Sequence, residues 1–152
     1  MRNPGLLSKN NWILILSAFA IFSFQHISLA AEECKCKLST IEQEIESSDV
    51  IFFGNVTKIE PFADSKIQNN SHLVTLDVSH VWKGEAQKEI KLIIPALECY
   101  SIDFEKGKGY FVYATKNKDN SLTISRCSRT NLVSNAMTDW VIVEEKFTPQ
   151  PK

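Results

Sequence analysis

A mainly β (α+β) fold is predicted by three features of the sequence: five short runs rich in β-branched and aromatic residues, polar or glycine-containing turns between them, and only two helical signals. The early helical signal is Ser39-Thr40-Ile41-Glu42, which has capping-box form with Ser39 as the N-cap, and Leu38, Ile41 and Ile45 fall at helical spacing. A short helix over about Thr40 to Glu46 follows, stopped by Ser47-Ser48-Asp49. Val50 to Ile59 is the first strand, with Gly54 placed where a barrel strand can bend sharply. Pro61 to Ser71 is polar, contains Asn69-Asn70-Ser71 and lacks an apolar period, so it reads as a loop and a candidate binding edge.

Val74, Leu76 and Val78 alternate with Thr75, Asp77 and Ser79 in a half-buried second strand that continues to Val81 and Trp82. Its phase changes near His80, the mark of a bulge. After the Lys83-Gly84-Glu85 turn, Ile90 to Ile94 forms a third strand stopped by Pro95, and Tyr110-Phe111-Val112-Tyr113 a fourth behind the turn-rich segment 103–109. Lys116 to Ser121 is a polar turn, and Leu122-Thr123-Ile124 the fifth strand. Asn131 or Ser134 is expected to cap a terminal helix through about Glu144. Five short strands with an early and a late helix fit a five-stranded OB-type barrel.

The N-terminus bounds the compartment. Arg2 and Lys9 precede an apolar run from Trp12 to Phe24, then Ser28-Leu29-Ala30-Ala31, the layout of a secretory signal peptide over 1–30 with cleavage after Ala30. The run is too short to span a bilayer, and Glu33 before Cys34 excludes a lipidation site. No membrane association is expected once the signal is removed. The domain is then expected over 31–146, with a frayed tail over 147–152. The lost segment carries two basic residues and no acidic one, so 15 Lys and Arg face 18 Asp and Glu in the remainder, a net charge of −3. Such a chain has the wrong field for nucleic acid. A secreted or periplasmic location follows, and there an even count of four cysteines reads first as disulfides.

Cys34 and Cys36 lie one residue apart, so on an extended segment both thiols share a face and each can reach a distant partner, Cys99 or Cys127. The spacing lacks the paired Cys-x2-Cys knuckles of a zinc site and the Cys-x-x-Cys arrangement of a redox pair. His72 and His80 have no third ligand at matching spacing and read as solvated or structural. No Gly-x-Ser-x-Gly elbow, His-Glu-x-x-His or phosphate-binding glycine loop occurs, so no catalytic residue, cofactor or metal of its own is expected. Phe52, Phe53, Tyr110, Phe111 and Tyr113 read as barrel core before they read as a base-stacking face. Lys106, Lys108, Lys116 and Lys118 read as a solvated turn surface, and the triplets at Asn55 and Asn69 as incidental.

Five pieces in order carry a resemblance: Cys34-Lys35-Cys36, the run from Asp49 to Val56, Val81-Trp82-Lys83-Gly84, Asp103-Phe104 with Lys106-Gly107-Lys108, and Cys127-Ser128-Arg129-Thr130. Together the chain resembles the tissue inhibitor of metalloproteinases (TIMP) family in a compact bacterial form, over roughly Cys34 to Trp140. The resemblance implies a netrin-like OB barrel with bridges Cys34 to Cys99 and Cys36 to Cys127. It also implies a non-enzymatic inhibitor of zinc metalloproteases, with Cys34, Lys35 and Cys36 contacting the protease. In that family the first cysteine chelates the protease zinc through its α-amino nitrogen and carbonyl oxygen, and the next side chain enters the specificity pocket. Here those positions are Cys34 and Lys35. Cleavage after Ala30 leaves Ala31-Glu32-Glu33 ahead of Cys34, which makes its nitrogen an amide, so chelation requires further trimming. Lys35 also carries a desolvation cost into an apolar pocket. The alternative is an envelope binding module of the same fold, with another extracellular protein as partner and no protease inhibition.

Overall fold

The structure, a computed structural model, describes residues 36–64, 67–95 and 102–148, the side chains of 64 and 67–70 excepted. It is mainly β with two helices. The elements are α1 (Ile41–Ser47), β1 (Val50–Asp64), β2 (Ile67–Lys83), β3 (Glu89–Ile94), β4 (Gly109–Lys116), β5 (Leu122–Thr123), β6 (Asn131–Leu132), a 3-10 turn (Val133–Asn135) and α2 (Met137–Phe147).

The sheet runs β1-β2-β3-β5-β4-β6, and β1 also pairs with β4, so β1, β2, β3, β5 and β4 close into a ring. Within the ring only β3–β5 is parallel. Closure explains the burial pattern. Val50, Phe52, Val74, Leu76, Ile90, Leu92, Tyr110, Val112 and Ala114 take alternate positions on their strands and fill the interior. The opposite face of β1 and β4 puts Ile51, Phe111 and Tyr113 against Ile45 of α1 and Val143 of α2. Because β4 is covered on both faces, Tyr110 to Ala114 is buried without a break, which is why it reads as a continuous apolar run.

Gly54 and the neighbourhood of His80 mark one irregularity. Phe53 pairs with His80 and Gly54 with Val78, so Ser79 is an extra residue, and a Cβ on Gly54 would lie 3.0 Å from the carbonyl of Asp77. The ring bends there, as a closed sheet must.

Three sequence expectations are corrected. The first concerns Pro61 to Ser71, expected as a loop. β1 and β2 instead continue their ladder through Pro61↔His72 and Phe62↔Ser71 to Asp64↔Ile67. This stretch carries no apolar alternation: Pro61 and Ala63 are exposed, Phe62 is half-buried, and its buried partner across the ladder is the polar Ser71.

The second is the α1 cap, one residue later than expected. Thr40 Oγ1 accepts from the Gln43 amide (3.3 Å) and Gln43 Oε1 accepts from the Thr40 amide (3.1 Å), while the Ser39 hydroxyl is engaged by the Glu44 carboxylate. The third is the terminal helix, capped by neither Asn131 nor Ser134. Asn131 pairs with Phe111 in β6, Ser134 lies in the 3-10 turn, and α2 begins after Ala136, a 2% exposed core residue. Burial of Ala136 outweighs a side-chain cap there. α2 runs to Phe147, three residues past the expected Glu144.

Candidate functional site

The site is a strap, residues 36–40, bound to the 126–130 loop. Cys36 and Cys127 form a disulfide with Cα atoms 5.3 Å apart, within the ordinary range for such a bond. Cys36 is exposed and Cys127 half-buried, so the bridge sits at the surface. Cys34, Lys35, Cys99 and the expected signal segment 1–30 lie outside the described residues, as does the tail after Thr148.

Beside the bridge, a buried polar network fixes the strap to three elements. Arg129 forks onto Asp139 of α2, Nε to Oδ2 and Nη2 to Oδ1, both at 2.7 Å, and its Nη1 donates to the carbonyl of Ser39 on the strap at 3.2 Å. Glu44 of α1 accepts from the Ser128 hydroxyl (3.0 Å), the Arg129 amide (3.2 Å) and the Ser39 hydroxyl. Ser128 Oγ, its proton given to Glu44, accepts from the Thr130 amide at 3.0 Å and lies 2.9 Å from Thr130 Oγ1, which accepts from the amide of Tyr113 in β4 at 2.9 Å. Tyr113 OH donates to Asp139 Oδ2 at 3.0 Å. Glu44, Ser128, Thr130 and Asp139 are all under 7% exposed, so each needs these partners to offset its desolvation.

The electrostatics follow from burial. Desolvation, then the neighbouring Asp139 charge, holds the Tyr113 phenol far above its usual range, so it stays a donor. The hydrogen bonds to Asp139 raise the Arg129 guanidinium further. The arrangement has two acids saturated by donors and hydroxyls already bonded. It ties the strap to α1, α2 and β4.

The pieces that carried the family likeness have local structural roles. The Asp49 carboxylate accepts from the Lys116 amide at 2.6 Å, locking β1 to β4. The Trp82 indole donates to Glu144 at 2.6 Å and packs on Trp140 and Phe111; Lys83 Nζ donates to the carbonyls of Ile45 and Glu46, closing the C-terminal end of α1. Gly84 has φ +94°, and a Cβ there would lie 3.1 Å from Val50. Phe104 packs on Tyr110 (4.7 Å), whose hydroxyl accepts from the Glu105 amide and donates to the Asp103 carbonyl.

The remaining candidates are placed as follows. Phe52, Tyr110, Phe111 and Tyr113 are at most 1% exposed and fill the core, whereas Phe53 is half-buried and packs edge-on against Trp140 at 5.3 Å. His72 and His80 lie eight positions apart on β2. At about 3.3 Å per residue they are roughly 26 Å apart and cannot share an ion. Lys106, Lys108 and Lys118 are exposed in the two turns, and Lys116 is exposed at the end of β4. Sequence reasoning missed Glu44, Asp139 and Ser39. Each sits in a helical or capping pattern where a polar residue looks solvent-facing, and only the 126–130 loop folding over α1 buries them. Compared with known proteins, the chain matches no family model and no curated protein.

Proposed function

We propose that this chain is an exported, non-enzymatic protein of TIMP type, whose ring of strands is an OB-type, netrin-like barrel. Its inhibitory edge is the ridge Cys34, Lys35 and Cys36, offered to a zinc metalloprotease. The observation that carries the reading is the strap: the Cys36–Cys127 bridge and the Arg129 hydrogen bond to Ser39 hold the chain immediately after the ridge to the barrel and to α2. A zinc protease keeps an open coordination position for water or substrate. A terminus already ordered before binding fills it with little further loss of entropy.

Topology supports the second bridge, Cys34 to Cys99. β3 and β5 run parallel through Leu92↔Leu122, and Thr123 Oγ1 donates to the Ile93 carbonyl, so the chain leaves both strands at the same end of the ring. Cys99 follows Ile94 by five positions and Cys127 follows Thr123 by four. If the Cys34-Lys35-Cys36 segment is extended, its two thiols share a face and each can reach a different partner. The closing order β1-β2-β3-β5-β4-β1 supports the OB reading, since that barrel is a five-stranded Greek key.

Three forms test the reading: one beginning at Ala31, one trimmed to Cys34, and the trimmed form acetylated at Cys34. Each is assayed against a panel of zinc proteases. A free α-amino group, with a reference pKa of about 8, is partly neutral at neutral pH and can coordinate zinc, whereas an acylated nitrogen cannot. Inhibition confined to the free trimmed form is the expected result. Equal inhibition by all three would overturn the chelation mechanism, and no inhibition by any form would overturn the inhibitor reading in favour of an envelope binding module.

A further inference from the structure

Along the C-terminal half of α2 lies an open groove of about 490 Å³, lined by Trp140, Val141, Glu144, Glu145 and Thr148. Val141 is 59% exposed and Met137, one turn earlier on the same side, 53%, against 0% for Val143 on the opposite side. The Glu144 carboxylate in this groove is held in place: one oxygen accepts from the Trp82 indole at 2.6 Å, the other from the Thr148 hydroxyl at 3.0 Å. Those bonds keep it ionised below the usual carboxylate range. His80 lies 3.8 Å from it, and among the described residues no Lys or Arg is within ion-pair distance.

The two charged residues that line the groove are both acidic. Glu144 and Glu145 sit in the last turn of α2, where the unpaired helix carbonyls already make the field negative and a cation is the stabilising occupant. Lys146, the basic residue of that turn, does not line the groove. A fixed carboxylate, a second exposed one and an indole together favour a guanidinium, which bonds carboxylates through its fork and stacks on aromatic rings.

We propose that this groove is a docking site for an arginine-bearing segment of a partner protein, the guanidinium lying between Glu144, Glu145 and Trp140 and a neighbouring apolar side chain covering Val141 and Met137. The surface is independent of the Cys34 ridge, and its test does not involve protease inhibition. The fit rests on charge complementarity beside exposed apolar area.

The probe is an acetylated, amidated arginine–leucine–arginine peptide, titrated into the full mature protein and followed by amide and indole NMR shifts, with the citrulline–leucine–citrulline peptide as the neutral isostere. The proposal expects saturable shifts centred on Trp140, Val141 and Glu145, absent with citrulline. It also expects affinity to fall about fivefold to tenfold in the E144Q/E145Q double variant, as loss of two exposed ion pairs implies. The Glu144→Gln change keeps an acceptor for the Trp82 indole, and E145Q alone, at an exposed position, gives a partial loss that no folding defect explains. Shifts centred elsewhere, an equal response to citrulline, or affinity unchanged in the double variant would overturn the proposal.

Discussion

Replacing Arg129 by methionine removes three hydrogen bonds at once, two to Asp139 at 2.7 Å and one to the Ser39 carbonyl at 3.2 Å. The Asp139 side chain is 6% exposed, so the substitution strands a buried carboxylate whose remaining partner is the Tyr113 hydroxyl at 3.0 Å. Breaking one side of a buried ion pair typically costs about 3 to 5 kcal/mol. Arg129 itself is 23% exposed and Tyr113 stays bonded, which places the cost near the low end, about 3 kcal/mol. The assay is equilibrium unfolding in urea with the bridges intact, followed by the fluorescence of Trp82 and Trp140. R129M/D139N should recover at least about 1 kcal/mol over R129M alone, because the asparagine removes the uncompensated charge and keeps an acceptor for Tyr113. Amide exchange over 37–39 should quicken in R129M as the Ser39 carbonyl is released. A cost below about 1 kcal/mol, or a double variant no more stable than the single, would refute the view that the pair anchors the strap.

Trp82→Ala should destabilise by about 3 kcal/mol, because the ring fills the space between β2 and α2 and bonds Glu144; a loss under about 1 kcal/mol in the same urea melt would contradict that packing. Gly84→Ala should cost about 1 to 3 kcal/mol, and Gly107→Ala about 1, since both have positive φ but only Gly84 has Val50 and Asp49 in the way; equal costs would argue against the contact. The native state holds the Tyr113 proton more tightly than the unfolded chain does. Its contribution to stability is therefore intact below about pH 10 and is lost as pH rises above that value. Melts across pH 9 to about 11.5 should show stability falling, with Tyr113→Phe flattening the slope by about one proton, and an unchanged slope in the variant would contradict the buried phenol.

Much of the ring was legible because burial on one face writes itself into alternation. Val74, Leu76 and Val78 gave β2, and the phase break at His80 gave the bulge that the Gly54–Val78 register bears out. β4 was legible for a different reason: α1 and α2 cover its outer face, so apolar residues occur at every position. The ribbon beyond Ile59 was not legible, because its ladder is set by backbone hydrogen bonds and a buried position within it, Ser71, is polar and adds nothing to an apolar period. β6 is two residues long and carries no pattern of its own. In the site, two of the four cysteines were identified as a pair through the family likeness, and Cys36–Cys127 is formed. The polar network was hidden for a general reason. Glu44 and Asp139 look like ordinary helix-surface acids until Ser128 and Arg129, more than 80 residues from Glu44, fold over them. Of the pieces that carried the likeness, Val50 to Val56 and Val81 to Lys83 lie on ring strands, while the others fall in turns, in the 126–130 loop or outside the described residues.

The central claim is a terminus clamped at two points, and non-reducing peptide mapping of the exported protein tests it most directly. The account predicts two cross-linked species, Cys34 with Cys99 and Cys36 with Cys127. The 92-residue loop closed by the second, spanning a separation of 91, should contribute about 4 kcal/mol in the chain-entropy treatment. Free thiols at Cys34 and Cys99, or a bridge joining Cys99 to Cys127, would contradict the clamped ridge and remove the physical basis for its use against a protease.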